Sequence, residues 1–324
     1  MEKTTKELTK VEDEDIVFRS RFPSVSIPDN VTLPEFVLKD AELYADHVAF
    51  VDATTKKSCT HGEVVRDVRR FSKGLRSLGL RTGHVVVVIL PNVIEYAIVA
   101  LGVMTAGGVF SGANPSSHSS EIKKQVDLAE AKLIVTDERT YNKVKELGLP
   151  VIILGEERVQ GTIYWDELLA TSERSITNET ETVVNQNDLC ALPFSSGTTG
   201  LSKGVMLTHR NIVANLCSTL FSVNPDYIGI LCANIRNKGK VVVMGRYDLS
   251  SVLKALIEHE VHFAPLVPPI LLGLVKHPLD EDLAKLQLRS VMTAAAPLAP
   301  EIYEEFRRKF PQIEVQEVKI SNHD

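Results

Sequence analysis

Eleven residues in the middle of the chain combine hydroxyl groups, glycines and a lysine in a pattern suited to binding phosphate. Residues 195–205 read Ser-Ser-Gly-Thr-Thr-Gly-Leu-Ser-Lys-Gly-Val, directly after the apolar stretch 189–194. Glycine reaches positive φ and lets the backbone approach a ligand. Successive N–H groups and hydroxyls form a concave anion site, to which a lysine adds positive charge. The string predicts a strand, a phosphate-binding loop, and then a helix over 210–220.

Two simpler interpretations of this string are weaker. A Walker loop reads Gly-x-x-x-x-Gly-Lys-Ser/Thr, whereas Gly197 and Gly200 are only three residues apart here. Gly204 also follows Lys203 at the place of the magnesium-binding hydroxyl. A polar surface turn would explain Gly-Thr-Thr-Gly alone, but it leaves the lysine and the other hydroxyls unexplained. We therefore expect a phosphate-binding loop that is not a Walker loop.

The composition is that of a soluble globular protein with an acidic surplus. The 324 residues are 44% hydrophobic and 24% charged, and the net charge is −6. This balance argues against a nucleic-acid partner, which requires a basic face, although a local basic patch stays open. The four cysteines show no Cys-x-x-Cys spacing and predict reduced thiols in a cytosol-like compartment. They are Cys59, Cys190, Cys217 and Cys232.

One stretch imitates a membrane-spanning segment. Residues 96–113 are eighteen residues without a charge, and length alone would admit a membrane helix. Because Gly107-Gly108 interrupts the second half, a buried helix that runs into a buried strand is favoured, and no membrane span is expected. Residues 1–15 are charged, lack the apolar core of a signal peptide, and predict a disordered N-terminus.

Short apolar strands alternate with amphipathic helices along the rest of the chain. This alternation predicts the α/β class, with two mostly parallel sheets flanked by helices. We expect a first α/β subdomain over 16–188 and a second over 189–324, with a polar connecting segment at 155–187 in which Trp165 is the one large anchor. The expected strands are 85–89, 109–110, 133–135, 151–154, 189–194, 241–244, 262–267 and 291–293. The expected helices begin near residues 63, 91 and 119 and span 210–220, 249–258, 269–275 and 300–310.

Together with the Met-Leu-Thr-His that follows it, the loop resembles the phosphate-binding motif of the adenylate-forming acid–CoA ligases. The resemblance is closest to the plant 4-coumarate–CoA ligase and ligase-like group and extends over about residues 16–317. Other strings that resemble family segments are Phe18-Arg-Ser-Arg-Phe-Pro, Ile27-Pro, Leu90-Pro-Asn92, Gly112-Ala-Asn-Pro115, Val267-Pro-Pro269 and Thr293-Ala-Ala-Ala-Pro-Leu298.

The resemblance implies a two-step reaction. A carboxylate attacks the α-phosphate of ATP, bound with Mg²⁺, and the thiol of coenzyme A then displaces AMP to give a thioester. Ala295 and Ala296 fall in the segment whose backbone lies against adenine, and Arg246 falls where relatives place a basic residue near coenzyme A. The family's phosphate loop matches this chain at Ser195, Ser196, Gly197, Thr198, Thr199, Gly200 and Lys203.

Three histidines are assigned no chemistry. His209 begins the helix after the loop, where a capping or satisfied surface histidine is expected rather than a catalytic one. His259 and His262 have near-ligand spacing, but they straddle a helix end and a strand start with no cysteine nearby. No metal site is therefore expected there.

Two departures from the family pattern stand out. Relatives continue after the helix at 210–220 into a strand and a Phe-Phe-His-type segment that lines the acid pocket, whereas 224–229 here runs straight into 230–239. At the other end, 310–317 is followed by residues that match nothing in the family. We therefore expect an incomplete N-terminal domain of the adenylate-forming ligase fold. The mobile C-terminal domain and its adenylation lysine are expected to be absent, so no catalytic residue is assigned.

Three hypotheses about function follow. The first is an ATP-dependent acid–CoA ligase, 4-coumarate–CoA ligase-like, that acts on a cinnamate-like or fatty carboxylate and is impaired by deletion and truncation. The second is a catalytically inactive nucleotide-binding fragment, such as a splice variant, that associates with full-length ligases. The third is a chain that does not fold stably. The expected partners are a carboxylic acid, ATP and coenzyme A. The expected compartment is the cytoplasm, with the peroxisome of some full-length relatives as the alternative.

Overall fold

The first half of the chain alternates strands and helices, as its hydrophobic pattern predicts. A computed structural model describes residues 24–174, 183–195, 203–219, 227–278, 283–293 and 297–317, so the expected disorder at 1–15 lies outside the described residues. Single 3-10 turns occur at Ala41–Tyr44, Tyr141–Lys143 and Lys145–Leu147. The other elements up to residue 174 are α1 (Leu33–Leu38), β1 (Val48–Asp52), β2 (Ser58–Thr60), α2 (His61–Ser77), β3 (Val85–Ile89), α3 (Tyr96–Thr105), β4 (Val109–Gly112), α4 (Ser119–Leu128), β5 (Leu133–Asp137), β6 (Val151–Leu154), β7 (Ile163–Tyr164) and α5 (Trp165–Arg174).

The second half continues the alternation with shorter strands. Its helix α8 has the bounds that the sequence predicts, and the helices predicted at 210–220, 269–275 and 300–310 differ by one residue at one or both ends. Helix α7 was not predicted from the hydrophobic pattern. The elements are β8 (Leu189–Ala191), β9 (Phe194–Ser195), β10 (Lys203–Gly204), β11 (Leu207–Thr208), α6 (His209–Thr219), α7 (Tyr227–Arg236), β12 (Val241–Val243), α8 (Leu249–Glu258), β13 (Phe263–Pro265), α9 (Pro268–Lys276), β14 (Ser290–Thr293), α10 (Pro300–Lys309) and β15 (Glu314–Glu317).

Helix α2 forms for reasons that are visible in its sequence. The backbone N–H of Glu63 donates to Thr60 Oγ1 at 3.2 Å, and that of Thr60 donates to Glu63 Oε2 at 2.9 Å. These two bonds satisfy N–H groups that have no partner within the helix. The predicted apolar face is buried, with Val64, Val68, Phe71 and Leu75 at most 1% exposed.

The largest sheet has seven strands in the order β11-β8-β4-β3-β5-β6-β7. Every pair from β8 to β7 is parallel, and β11 is antiparallel to β8. All five residues of the central strand β3 are apolar, as expected of a strand that packs against apolar residues on both faces of its sheet. The expected α/β class is confirmed.

Two three-stranded sheets and a two-stranded sheet of β9 and β10 complete the described architecture. One three-stranded sheet has the order β12-β1-β2, with β1 parallel to β12 and antiparallel to β2. The other, β13-β14-β15, is parallel and has its own hydrophobic core. Strands β8 and β12 come from the second predicted series but join sheets built mainly from the first. The division into folding units at residue 188 stays a prediction.

The expectation that the stretch 96–113 is a buried helix and strand rather than a membrane span can be compared with the structure. The charge-free stretch 96–113 is a ten-residue buried helix followed by strand β4, as favoured from the sequence. None of the helices in the described part of the chain has the length and apolar character needed to cross a bilayer.

The interpretation of 155–187 as a connecting segment was wrong for residues 163–174, which form β7 and α5. Because Trp165 packs at 4.6 Å between ring centroids on Phe71 of α2, this polar segment is held in the core.

The four cysteines are free, as the sequence predicts. Burial raises the pKa of the Cys59 thiol and that of the Cys190 thiol to about 12. Both side chains therefore stay protonated at neutral pH and act as small apolar groups.

Candidate functional site

The two ends of the phosphate-binding string meet in a hairpin stem. Strands β9 and β10 are antiparallel, with Ser195 opposite Lys203 and Phe194 opposite Gly204. The stem is extended by a hydrogen bond from Val205 N to Pro193 O at 2.8 Å. The other predicted loop residues lie outside the described residues. They are Ser196, Gly197, Thr198, Thr199 and Gly200.

The stem lies at the edge of the large sheet where ligands bind in folds of this class. It follows β8, which runs parallel to β4, so it leaves the sheet at the carboxyl ends of the parallel strands. Because glycine has no side chain, residue 204 packs closely against Leu192 and Phe194. A Cβ at this position would stand 3.1 Å from Leu192 Cδ1 and 3.2 Å from Phe194 Cζ. The Lys203 side chain is exposed.

A cavity of about 410 Å³ lies beside this stem. Its volume is in the range of small-molecule sites. Its wall includes the rings of Tyr96 and Phe110, which meet edge to face at 5.9 Å between centroids. The other lining residues come from the carboxyl ends of β3, β4 and β8 and from the segments that follow them. They are Leu90, Asn92, Gly112, Ala113, Asn114, Pro115, Ala191, Pro193, Leu207 and Ile212.

Two features fix the wall of this cavity. A Cβ at position 112 would stand 2.9 Å from the hydroxyl oxygen of Tyr96, so glycine at 112 lets this ring take its place. The ammonium group of Lys143 donates to the carbonyl oxygens of Pro115 at 2.6 Å and Ser117 at 2.8 Å. This lysine ties the loop after β4 to the element that follows β5.

The remaining predicted contact residues fall in other places. Arg246 is exposed in the bend after β12. This bend meets the cavity wall where Asn92 Nδ2 donates to Met244 O at 3.2 Å. Within the described residues, no hydrogen bond or ion pair joins Arg246 to the hairpin. Ala295 and Ala296 lie outside the described residues, directly after β14.

The sequence offered a helix-capping or a surface role for His209, and the surface alternative was wrong. The His209 side chain is fully buried, and its Nδ1 accepts a hydrogen bond from Leu33 N at 3.1 Å. Nε2 is buried without a partner among the described residues. Burial lowers the pKa of His209 to about 4, against the opposing effect of the carboxylates of Asp188 and Glu35. The neutral imidazole therefore links the start of α6 to α1.

Sequence inspection missed most of the cavity wall. A signal did exist for Asn92 and Asn114, since each follows a predicted strand by a few residues. The carboxyl ends of parallel strands meet at one edge, so both could have been assigned to it. Tyr96 and Lys143 carry no such signal, because their positions depend on how helices pack over the sheet.

Comparison with known proteins identifies the family. The model of the AMP-binding enzyme family matches residues 37–318. The chain is 58% identical to 4-coumarate–CoA ligase-like 1 of Arabidopsis thaliana, over 96% of this chain and 61% of that protein. It is 54% identical to 4-coumarate–CoA ligase-like 9 of Oryza sativa subsp. japonica, over 94% and 59%. It is 30% identical to 4-coumarate–CoA ligase 1 of Petroselinum crispum, over 92% and 58%.

Solved structures share the fold. The luciferase-like enzyme of the mealworm Zophobas morio superposes with a TM-score of 0.80 at 18% identity, over 94% of this chain and 74% of that one. A long-chain-fatty-acid-CoA ligase of Archaeoglobus fulgidus also gives 0.80, at 22% identity over 93% and 66%. The N-terminal domain of FACL13 from Mycobacterium tuberculosis gives 0.74, at 19% identity over 91% and 76%.

The chain matches only part of the length of its relatives. The chain spans about three fifths of the length of the curated relatives it matches. Its described elements form the N-terminal α/β fold of these enzymes, with mixed sheets and flanking helices. The family match covers most of the chain and includes the phosphate-binding string. The chain therefore belongs to the AMP-binding family of adenylate-forming enzymes, close to the 4-coumarate–CoA ligase-like proteins.

Proposed function

We propose that the chain takes part in ATP-dependent activation of a carboxylic acid and its transfer to coenzyme A. The supporting observation is the hairpin stem of β9 and β10, which lies at the carboxyl edge of the parallel sheet beside a cavity of about 410 Å³. A motif with the residue types of an anion-binding loop and a stem beside a mostly apolar cavity suit a reaction between a triphosphate and a largely apolar acid.

The chemistry assigns the loop a charge-stabilising role. A carboxylate oxygen bonds to the α-phosphorus of ATP, and the bond from that phosphorus to the bridging oxygen breaks, so pyrophosphate leaves. The thiol sulfur of coenzyme A then bonds to the acyl carbon, the bond from that carbon to the phosphate oxygen breaks, and AMP and the thiol proton are released. Both steps shift negative charge onto oxygen atoms. The hydroxyls and backbone amides of 195–200 would hold the β- and γ-phosphates, and the ammonium group of Lys203 would neutralise them.

Magnesium fits this site as a companion of the nucleotide. The described residues contain no group of three carboxylate, histidine or cysteine side chains that could hold a metal ion. Mg²⁺ binds phosphate oxygens and retains several waters, so ATP itself would bring it to the loop. There it would neutralise charge on the triphosphate.

The cavity supports a small, flat and mostly apolar acid. The rings of Tyr96 and Phe110 form one wall, and the asparagines at 92 and 114 are the polar groups that could orient a ligand. This composition suits a cinnamate-like acid, with a fatty carboxylate as the alternative. Arg246 would meet the anionic groups of coenzyme A, and Ala295 and Ala296 would lie against adenine. A cytoplasmic location and association with full-length ligases stay predictions.

Replacing Lys203 by alanine is expected to weaken ATP binding by about 10–100-fold. A charge-assisted hydrogen bond contributes about 1.5–3 kcal/mol, and each 1.4 kcal/mol is a factor of ten. Isothermal titration calorimetry with ATP and with adenosine measures the change, and adenosine binding should stay unaffected. Lys254→Ala is the matched control, because Lys254 is exposed on α8. Equal ATP affinities for Lys203→Ala and wild type would contradict the phosphate role.

Turnover separates the ligase from a chain that only binds nucleotide. AMP and thioester formation are measured with ATP, coenzyme A and a panel of cinnamate-like and fatty acids. The ligase proposal expects product with wild type and a strong loss with Lys203→Ala. If wild type binds ATP but forms no more product than Lys203→Ala, the catalytically inactive nucleotide-binding hypothesis is supported instead.

A further inference from the structure

A buried hydroxyl group lies beside the segment that leads into the phosphate-binding loop. Ser111 in β4 has no solvent-exposed surface, and its Oγ lies 2.8 Å from the carbonyl oxygen of Leu192. A carbonyl oxygen only accepts, so the serine hydroxyl donates. Leu192 directly follows β8 and stands two residues before the hairpin stem. Ser111 therefore ties the sheet to the base of the hairpin.

The hydrogen bond from Ser111 to Leu192 lies where the main-chain pairing of β4 with β8 ends. Strands β4 and β8 share the single pair Phe110 and Ala191, and Leu192 N donates to Phe110 O at 2.8 Å. The next residue, Pro193, has no N–H to continue the ladder. Backbone pairing alone thus stops short of the hairpin, and the serine hydroxyl adds one more point of attachment.

Gln125 of α4 sets the direction of that bond. Its side-chain nitrogen donates to the carbonyl oxygen of Gly112 at 2.9 Å and to Ser111 Oγ at 3.1 Å. Because the Gly112 carbonyl can only accept, the amide nitrogen of Gln125 must face it. The oxygen of Ser111 then receives a hydrogen from Gln125, and its own hydrogen is directed to Leu192. Gln125 thus donates to Ser111, and Ser111 donates to Leu192, so a chain of hydrogen bonds runs from helix α4 through strand β4 to the segment before the hairpin.

Leu192 also contacts the second strand of the hairpin. Gly204 of β10 packs against the Leu192 side chain, and Val205 N donates to Pro193 O, the carbonyl of the next residue. A shift of Leu192 would therefore move both ends of the loop at 196–202. We propose that Ser111, oriented by Gln125, is a positioning residue that holds the hairpin stem of β9 and β10 in place before the nucleotide arrives. The consequence for ATP rests on the proposed function, whereas the anchoring of the hairpin does not.

A set of matched variants isolates the hydroxyl group. Ser111→Thr keeps it, and Ser111→Val has nearly the shape of the threonine variant without it. Thr136→Val is the control, because Thr136 is fully buried and its Oγ1 donates to Ile89 O at 2.9 Å at the end of β3. That control loses a bond of the same kind in the same sheet, away from the hairpin. Gln125→Met is a second route to the same effect, at a partly buried position.

Hydrogen–deuterium exchange without nucleotide tests the anchoring. We expect amides of the stem at 194–195 and 203–205 to exchange about tenfold faster in Ser111→Val, the factor that corresponds to one lost hydrogen bond. Gln125→Met should exchange faster as well, by a smaller factor. Ser111→Thr and Thr136→Val should match wild type in this segment. Unchanged stem exchange in both Ser111→Val and Gln125→Met would overturn the proposal, as would an equal increase in Thr136→Val.

Calorimetry then tests what the anchoring does for the nucleotide. We expect Ser111→Val to bind ATP about tenfold more weakly than Ser111→Thr, with adenosine affinity unchanged. ATP affinity that stays at the wild-type value although the stem exchanges faster would overturn the positioning role. If wild type itself binds no ATP, the proposed function fails, while the exchange measurement still decides whether Ser111 anchors the hairpin.

Discussion

Replacing Trp165 by alanine is expected to lower the free energy of unfolding by about 3–5 kcal/mol, the usual cost of removing a buried tryptophan. The side chain is 8% exposed, and its ring lies 4.6 Å from that of Phe71, which is fully buried in α2. Truncation leaves a void between α5 and α2 that the surrounding residues fill only in part. Urea unfolding measures the effect. Far-ultraviolet circular dichroism is the suitable probe, because Trp165 is the only tryptophan.

Two further variants serve as comparisons for Trp165→Ala. Trp165→Phe keeps an aromatic ring and should lose less than half as much stability. Leu43→Ala removes an apolar side chain that is 82% exposed, so its effect should stay within about 0.5 kcal/mol. A loss below about 1 kcal/mol for Trp165→Ala would mean that α5 does not belong to the core.

Acidification is expected to destabilise the fold by up to about 3 kcal/mol through His209 alone. Burial lowers the pKa of this residue in the folded chain from 6.5 to about 4, and each pKa unit is about 1.36 kcal/mol. Between pH 6.5 and about pH 4, His209 is protonated in the unfolded chain but stays neutral in the folded chain. The contribution of His209 is therefore complete above pH 6.5 and is lost as the pH falls to about 4.

Urea titrations from pH 7.5 to pH 4 measure this dependence. In His209→Asn the side-chain oxygen still accepts a hydrogen bond, but the group no longer titrates, so stability should vary less with pH. Some dependence should remain, because burial also lowers the pKa of His61. His262→Asn is the control at an exposed histidine and should follow wild type. Equal slopes for wild type and His209→Asn would contradict the assignment.

Local patterns were enough to find seven of the ten α-helices in the described residues, while α1, α5 and α7 were not predicted from them. Helix α8 was predicted with its observed bounds, since its apolar residues recur at helical spacing and Asp248 stands at its start. Ser251 N donates to Asp248 Oδ1 at 2.9 Å, which satisfies one of the first N–H groups. Helix α5 was missed because its few apolar residues stand in a polar stretch. Its membership in the core is decided by Phe71, which lies far away in sequence.

Tertiary contacts account for what the sequence could not indicate about the site. The residue types at 195–205 predicted a phosphate-binding loop, which stays a prediction, whereas the pairing of β9 with β10 at its two ends was not predicted. The burial of His209 depends on a backbone N–H at Leu33, 176 residues earlier. The cavity wall depends on the strand order, which places the ends of β3, β4 and β8 side by side. Periodicity identifies strands but does not determine their neighbours.

The pairing of β1 with β12 has a consequence for how the chain is made. Phe50 lies opposite Val241, so 191 residues separate two backbones that share hydrogen bonds. At about 5–20 residues per second on a ribosome, the second partner emerges roughly 10–40 s after the first. Until then one edge of β1 has no strand to bond with, and the nascent polypeptide must keep its apolar residues from pairing with neighbouring chains. Completion of this small sheet is thus a late event in biosynthesis.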